Sequence, residues 1–219
     1  MLAGHYAPAL ALRRSAPTLP LWALFIAVQF VDILFSLFVL LGIEELAITP
    51  GITESNPLDL RYLPFSHSVV ATVVWSVVVA VGWHAYRRKE PAARREALVM
   101  GAAVASHFVL DLIVHIPDLP IAGGHGDKIG LGLWNHMPAA LSLELGLIVA
   151  AAWWAGSVAA IPKRWKIVAG VLVLLGVTGY FAPAPDAPNA VAILGLAMYL
   201  GLARLAGWAG AVGAGRGRA

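Results

Sequence analysis

Apolar residues fill long, nearly unbroken runs along this chain, and short polar segments separate the runs. Each run approaches the ~20 residues with which an α-helix crosses the hydrocarbon core of a bilayer. We therefore predict an all-α fold, a polytopic membrane helix bundle with about six transmembrane helices. The predicted spans cover residues 19–43, 66–86, 96–116, 136–154, 167–182 and 189–208.

A shorter apolar segment precedes these spans and ends at Arg13-Arg14. A helix over its first twelve or so residues extends about 18 Å, which reaches the middle of a bilayer but does not cross it. Two interpretations stay open. The segment is either a half-spanning helix that places His5 deep in the bundle, or an interfacial amphipathic helix with His5 among the headgroups.

Composition supports a membrane protein, because 60% of the residues are apolar, 12% are charged and the mean hydropathy is +0.80. The chain has no cysteine, which excludes disulfides and thiolate metal sites. Lysine and arginine occur in short clusters between the apolar runs, as topology signals do. We therefore expect membrane lipid as a partner and no nucleic acid.

The basic clusters also predict an orientation. They lie at 13–14, 87–95, 163–166 and 204–218, and they alternate with acidic or neutral loops at 44–62, 117–135 and 183–188. By the positive-inside rule we expect both termini to face the cytoplasm, with the chain in a plasma (inner) membrane.

We find no internal repeat, and we interpret 1–219 as a single transmembrane domain. It consists of a metal-site half at 1–150, packing helices at 165–208 and a basic cytoplasmic tail at 209–219.

Candidate chemistry is concentrated in the third span, where His107, Asp111 and His115 recur at i, i+4 and i+8. This spacing places all three on one helix face inside an apolar segment, where ionisable groups are costly and mark function. Imidazole and carboxylate one turn apart suit zinc or a similar divalent ion. The alternative is a buried hydrogen-bonded pair of His107 and Asp111 that joins helices.

Other polar residues fall at similar depth in the outer half of the predicted bundle. A carboxylate in mid-span, such as Asp32, needs either a metal ion or a histidine from another helix as its partner. We predict these metal ligands: His5, Asp32, His67, His107, Asp111 and His136. Glu144 and His115 are candidate catalytic residues, as a general base or as further ligands. The metal is a divalent ion, zinc first, with manganese and iron as alternatives.

The order of these motifs resembles a known family. Gly4-His5, Asp32, Ser66-His67-Ser68 and Ser106-His107-x-x-x-Asp111 follow one another as in the predicted membrane-bound metal-dependent hydrolases. The resemblance covers about residues 4–116. A closely related group of uncharacterised bacterial integral membrane proteins resembles the chain as far as about residue 150. The likeness implies a metal-dependent hydrolase.

The chain also departs from that pattern. Pro64-Phe65 stand where an Arg-Gly pair usually precedes the Thr-His-Ser element, and no second acidic residue or histidine closely follows Asp32. A looser similarity links the ligand order to that of zinc-dependent phospholipases C, which favours phosphoester substrates.

From the residues and this resemblance we expect a membrane-embedded metal-dependent hydrolase, acting on a lipid or lipid-linked (phospho)ester at the outer half of the membrane. The alternative is a transporter or ion-conducting protein with a His/Asp metal or proton relay. A third interpretation is an assembly protein whose buried ionisable groups only fix helix packing.

Overall fold

A computed structural model describes residues 1–124, 126–156 and 163–210, which form a helical bundle. The helices are α1 Ala7–Leu12, α2 Leu21–Val28, α3 Phe30–Leu40, α4 Val69–Arg87, α5 Ala93–Val114, α6 Met137–Gly156, α7 Lys163–Phe181 and α8 Pro188–Gly210. Helices α4 to α8 are each long and apolar enough to cross a membrane, and α2 with α3 makes a sixth candidate span. The predicted polytopic helix bundle is confirmed. The predicted tail at 209–219 lies outside the described residues beyond Gly210.

The first predicted span is broken rather than continuous, so its prediction as one helix over 19–43 is wrong in this respect. Helices α2 and α3 meet at 55°, and Gln29 between them has φ −107° and ψ 9°, outside the helical region. The Gln29 side chain is buried and its amide donates to the Leu2 carbonyl, at 3.3 Å. The break places Asp32 in the first turn of α3 instead of in mid-helix.

The N-terminal segment lies inside the bundle. A 3-10 turn at Gly4–Tyr6 leads directly into α1, which packs against α2, α5 and α6. His5 and Tyr6 are both buried, at 1% and 0% exposure. Of the two interpretations, the interfacial one with His5 among headgroups therefore does not hold, and the inserted one agrees with the structure.

Two small antiparallel pairings interrupt the helical pattern on the side of the predicted acidic loops. Strand β1 (Glu45–Ile48) pairs with β2 (Leu58–Tyr62), and β3 (Leu119–Pro120) pairs with β4 (Lys128–Ile129). The turn after β1 is tied to the segment before α6, because the Ser55 hydroxyl and backbone N–H both donate to the Trp134 carbonyl, at 2.8 and 3.1 Å.

Helix α5 lies in the interior and packs against α2 and most closely against α4. A Cβ atom added at Gly101 would lie 3.0 Å from the Ser76 carbonyl oxygen, so a small residue is needed where these helices meet. The buried face of α5 carries Glu96 at one end and His107 with Asp111 towards the other. Glu96 accepts from Thr18 and Trp83 at 2.6 and 3.0 Å, which satisfies its buried carboxylate.

Candidate metal centre

Five of the predicted ligands converge, although they come from separate elements. The 3-10 turn, α3, the segment before α4 and α5 together supply His5, Asp32, His67, His107 and Asp111. Their ligand atoms form two groups, His5 with His107 and Asp111, and Asp32 with His67 and His107, and within each group the atoms lie within 4.8 Å of one another. These His and Asp groups are able to hold a metal ion.

Asp111 is the carboxylate around which the histidines gather. Its Oδ2 lies 3.0 Å from His107 Nε2 and 3.7 Å from His67 Nε2, while its Oδ1 lies 3.0 Å from His5 Nε2 and 3.5 Å from His115 Nε2. The helical spacing of α5 accounts for two of these contacts, since His107, Asp111 and His115 follow one another at one-turn intervals. The other two contacts require the tertiary fold.

Asp32 adds a second carboxylate to the same place. Its Oδ1 lies 3.3 Å from His67 Nε2 and 3.6 Å from His107 Nε2. Donor atoms bound to one ion at about 2.0–2.2 Å in tetrahedral geometry lie about 3.3–3.6 Å apart. The two separations from Asp32 Oδ1 fall in this range, and the donor atoms of Asp32, His67 and His107 all lie within 4.8 Å of one another, as ligands of one ion do.

Three histidines use the ring nitrogen that faces away from the carboxylate pair for a fixed hydrogen-bond partner. His107 Nδ1 lies 2.7 Å from the Val28 carbonyl, His67 Nδ1 lies 2.8 Å from Ser66 Oγ, and His115 Nδ1 lies 2.9 Å from Asp118 Oδ1. Such partners set the tautomer and ring orientation of metal-ligating histidines. In all three rings Nε2 is the atom presented to Asp32 or Asp111.

Glu44 holds the His67 segment in place. It accepts hydrogen bonds from the backbone N–H groups of Phe65 and Ser66, at 2.8 and 2.9 Å, and from the Ser66 hydroxyl. The Glu44 side chain is buried at 2% exposure. A chain of contacts therefore runs from Glu44 through Ser66 to His67.

The direction of the side chains separates this cluster from an ordinary buried hydrogen-bond network. His5 Nε2, His107 Nε2 and Asp111 Oδ2 are buried, and despite separations of 3.0 Å none of them has a hydrogen bond of acceptable geometry. Buried polar atoms are rarely left unbonded, because this costs about 1–3 kcal/mol each. Donor atoms that face a shared ion instead of one another explain all three, so the residues fit a metal.

A partly open cavity of about 620 Å³ adjoins the cluster. The turn at 50–58, the end of α7 and one face of α8 form its mostly apolar walls. No lysine or arginine occurs among the described residues that line it, whereas His5, Asp32, His67, Asp111 and His115 all do. The cavity volume is within the range of small-molecule sites, about 300–1,000 Å³.

The electrostatic field around the cluster favours cations. Asp32, Asp111 and Asp118 each place a carboxylate oxygen within 3.3 Å of a histidine nitrogen. Their negative charge attracts a divalent ion.

Two other predicted site residues, Glu144 and His136, belong to neither group of converging ligand atoms in the part of the chain that the structure describes. Glu144 is fully buried and lines the cavity, where its Oε1 accepts from the backbone N–H groups of Ala3 and Gly4, the second at 3.0 Å. Glu144 therefore anchors the turn that carries His5. His136 is exposed and belongs to neither ligand group found among the described residues, because the segment before α6 directs it away from the interior.

The structure adds residues that the sequence did not reveal. Tyr199 of α8 presents its hydroxyl to the Asp32 carboxylate, and Tyr180 of α7 lies against Glu144. The interpretation of α7 and α8 as packing helices is thus incomplete, since both form walls of the cavity. Glu44 and Asp118 were visible only as loop acids, because nothing in their local sequence shows which histidine they contact.

Comparison with known proteins adds no name to this site. No family model, no curated protein and no solved structure matches the chain. The chemistry of the cluster is therefore argued below from its own geometry.

Gly130 tests how tightly the His115 segment is held. A Cβ atom at this position would lie 2.1 Å from the Ile116 carbonyl oxygen and 2.5 Å from that of His115. We expect Gly130→Ala to displace this backbone, lower stability by about 1–3 kcal/mol and weaken metal binding. Thermal unfolding and zinc titration of the detergent-purified variant would measure both effects.

The matched control is Gly126→Ala in the same loop, where an added Cβ meets only the Ala122 carbonyl oxygen at 3.4 Å. This variant should behave as wild type. Equal behaviour of the two variants would contradict a close backbone contact at Gly130.

Proposed function

We propose that this protein is a membrane-embedded metal-dependent hydrolase that cleaves an ester or phosphoester of a lipid or lipid-linked substrate. One observation carries the proposal: three histidines, each fixed through Nδ1, present Nε2 to Asp111, and two of them also to Asp32, beside an apolar cavity. Buried groups arranged only for helix packing have no need to leave their donor atoms unbonded.

Imidazole nitrogen and carboxylate oxygen are borderline to hard ligands, and no thiolate is available because the chain lacks cysteine. Zinc is our first choice for such a mixed site, with manganese and iron as alternatives. Asp32, His67, His107 and Asp111 would hold the ion, and Glu44 and the Val28 carbonyl would orient two of the histidines.

When bound, a divalent ion supplies Lewis-acid polarisation of a phosphoryl or acyl oxygen and lowers the pKa of a water molecule. The chain supplies the rest. Glu144 Oε2 has no hydrogen-bond partner, is buried and belongs to a residue that lines the cavity, so we assign it as the general base. It takes a proton from the attacking water and returns it to the leaving oxygen as the ester bond breaks.

The substrate class follows from the cavity walls. Phe35, Leu60 and Met198 are among the apolar residues around the cluster, and they suit an acyl or isoprenoid chain. Apart from Ser36, Glu144, Tyr180 and Tyr199, the polar groups of the described lining belong to the cluster and to the turn that contains Ser55 and Asn56. A molecule with an apolar body and one hydrolysable polar link meets both surfaces.

We infer the orientation from the basic clusters, which by the positive-inside rule favour both termini in the cytoplasm and the cavity in the outer half of a bacterial inner membrane. Because the chain has no cysteine, single introduced cysteines report topology cleanly. We expect Ala122→Cys to react with a membrane-impermeant maleimide in intact cells. Glu90→Cys, in the loop between α4 and α5, should react only after permeabilisation, and the reverse pattern would contradict the orientation.

The alternative function, a transporter with a metal or proton relay through the membrane, is less well supported. Between the cluster and Glu96, the interior along α5 is built from apolar residues that include Met100, Ala103 and Val104, packed against Leu24. A transport path would need polar groups on that side.

The proposed function is tested with the full chain in phospholipid mixed micelles. We expect headgroup phosphoester release that stops after chelation and returns on addition of zinc. His136→Ala, which alters an exposed histidine outside the cluster, is the matched control and should retain the activity. Metal-loaded protein that hydrolyses neither phosphoesters nor acyl esters would reject a hydrolase.

A further inference from the structure

Helices α7 and α8 are in contact at one end and are separated by the cavity at the other. Where α7 begins and α8 ends, the Arg164 guanidinium donates to the Trp208 carbonyl at 3.2 Å and lies over the Trp208 ring, 4.6 Å from its centroid. Towards the opposite ends, Gly179 of α7 and Leu194 of α8 both line the cavity. The two helices therefore border a gap that is closed at the Arg164 end.

Some residues that line the cavity are also exposed on the outside of the bundle, so they mark its mouth. Leu194 of α8 is 59% exposed, and Gly179 near the end of α7 is exposed as well. The segment at 182–185, Ala-Pro-Ala-Pro, continues this rim, and its two prolines carry no N–H. The mouth is therefore bordered by small and apolar groups from both helices.

The surroundings of the mouth are suited to hydrocarbon. Helices α7 and α8 are each long and apolar enough to cross a membrane. Phe181, Ile193 and Leu200, which lie near the mouth on these helices, are large, apolar and exposed. A surface of this kind is stable against lipid chains and costly against water. The mouth therefore opens towards the interior of the bilayer.

The turn at 50–58 forms a different wall of the same cavity, and hydrogen bonds hold it in place. Glu54 Oε2 accepts from the Met137 N–H at 3.0 Å, and Ser55 donates twice to the Trp134 carbonyl. Ser55 and Asn56 give this wall a polar character that the mouth lacks. A lipid with its polar part beside the turn and the cluster, and its chain in the mouth, matches both surfaces.

We propose that the gap between the end of α7 and the start of α8 is a lateral opening, through which an acyl chain of a bilayer phospholipid enters the cavity. By this route the lipid reaches the cluster without leaving the membrane, so its methylene groups are never exposed to water, which would be costly. The inference rests on the proposed function and deepens it, since it names a phospholipid of the surrounding bilayer as the substrate.

The first test is photolabelling, which needs no turnover. The full chain is reconstituted in vesicles of phosphatidylethanolamine and phosphatidylglycerol with a trace of phosphatidylcholine that carries a diazirine part-way along one acyl chain. Labelled residues are identified by mass spectrometry. We expect label on Phe35 and Leu60, which are buried and line the cavity, in addition to label on exposed residues of α8.

Leu194→Trp places a larger side chain at the mouth, and Ala182→Phe does so from the other side. Each should strongly reduce the label on Phe35 and Leu60. Ile193→Trp is the matched control, because Ile193 is 56% exposed, adjoins Leu194 and is not among the described residues that line the cavity. It should be labelled as the wild type is.

The second test compares two substrates of zinc-loaded protein, a long-chain phospholipid in vesicles and its water-soluble dibutyryl analogue. We expect Leu194→Trp and Ala182→Phe to lower kcat/KM for the long-chain lipid about tenfold, an effect typical of a changed fit in an apolar site. The value for the dibutyryl analogue should stay near that of the wild type, because its short chains need not be drawn from a bilayer.

Label confined to exposed residues such as Ile193 and Leu200 in the wild type would overturn the lateral opening. Equal labelling of Phe35 in all four proteins would do the same, since the chain would then enter by another route. Label on Phe35 that the mouth variants remove, without hydrolysis of any ester, would support the opening and reject the hydrolase. Hydrolysis of long-chain lipid that neither mouth variant slows would keep the hydrolase and reject the opening.

Discussion

Asp111→Ala is expected to abolish metal binding and hydrolysis together. Asp111 is the only residue in contact with all four histidines His5, His67, His107 and His115 among the described ion pairs. Removing its carboxylate takes ligand atoms from both sides of the cluster, which a neighbouring side chain cannot replace. Elemental analysis of the purified variant should find less than a tenth of the wild-type metal, and turnover should fall to background.

Asp111→Asn separates loss of charge from loss of shape, because asparagine keeps one neutral oxygen in the same place. We expect it to retain little metal, since a neutral amide oxygen binds a divalent ion more weakly than a carboxylate does. His136→Ala again provides the histidine control. Full metal content in Asp111→Ala, with the protein still in the membrane, would remove Asp111 from the ligand set.

Glu144→Gln is expected to keep its metal and lose activity. Glutamine retains an oxygen that can accept from the Ala3 and Gly4 N–H groups, so the turn that carries His5 stays in place. It cannot accept a proton at neutral pH, and loss of a general base typically lowers a rate by about 10²–10⁴-fold. The measurement is kcat on micellar lipid phosphoester at saturating zinc, together with metal content.

Glu144→Ala gives the contrasting result. It removes the acceptor as well as the base, which leaves two buried N–H groups without their partner and releases the segment before α1. We expect both metal affinity and kcat to fall. If Glu144→Gln turned over at the wild-type rate, Glu144 would be a positioning residue only and the base would lie elsewhere.

The sequence predicted the spans well because bilayer thickness imposes a length that apolar runs reveal directly. It missed the break at Gln29, since a single glutamine is compatible with a continuous helix and only its contact with the Leu2 carbonyl shows otherwise. The hairpin of β1 and β2 was also missed, because the apolar-polar alternation of Leu58–Tyr62 covers only five residues and β1 has no such alternation.

The sequence predicted the depth of the site residues along their helices, but not the direction in which each side chain faces around the bundle. The one-turn spacing fixes how His107, Asp111 and His115 face along α5. Depth along the other helices limits which residues lie at one level, yet it leaves open which way each points around the bundle. His136 illustrates this limit. Its predicted depth in the bundle suited a ligand, yet its side chain is exposed. Tyr199, by contrast, reaches Asp32 from a helix that looks featureless in sequence.

The positions of the site residues along the chain also determine the order in which they are synthesised. The histidines and aspartates that converge in the cluster lie between His5 and His115, whereas Tyr180 and Tyr199, which also line the cavity, emerge from the ribosome much later. Helix α5 therefore enters the bilayer before the last two helices that line the cavity are made, at a cost below the value of about 2.5–3.5 kcal/mol for an aspartate at a helix centre, because Asp111 lies near the end of α5. The other residues of α5 are strongly apolar, with a mean hydropathy of 2.0 over the best window, and their insertion offsets the cost of Asp111.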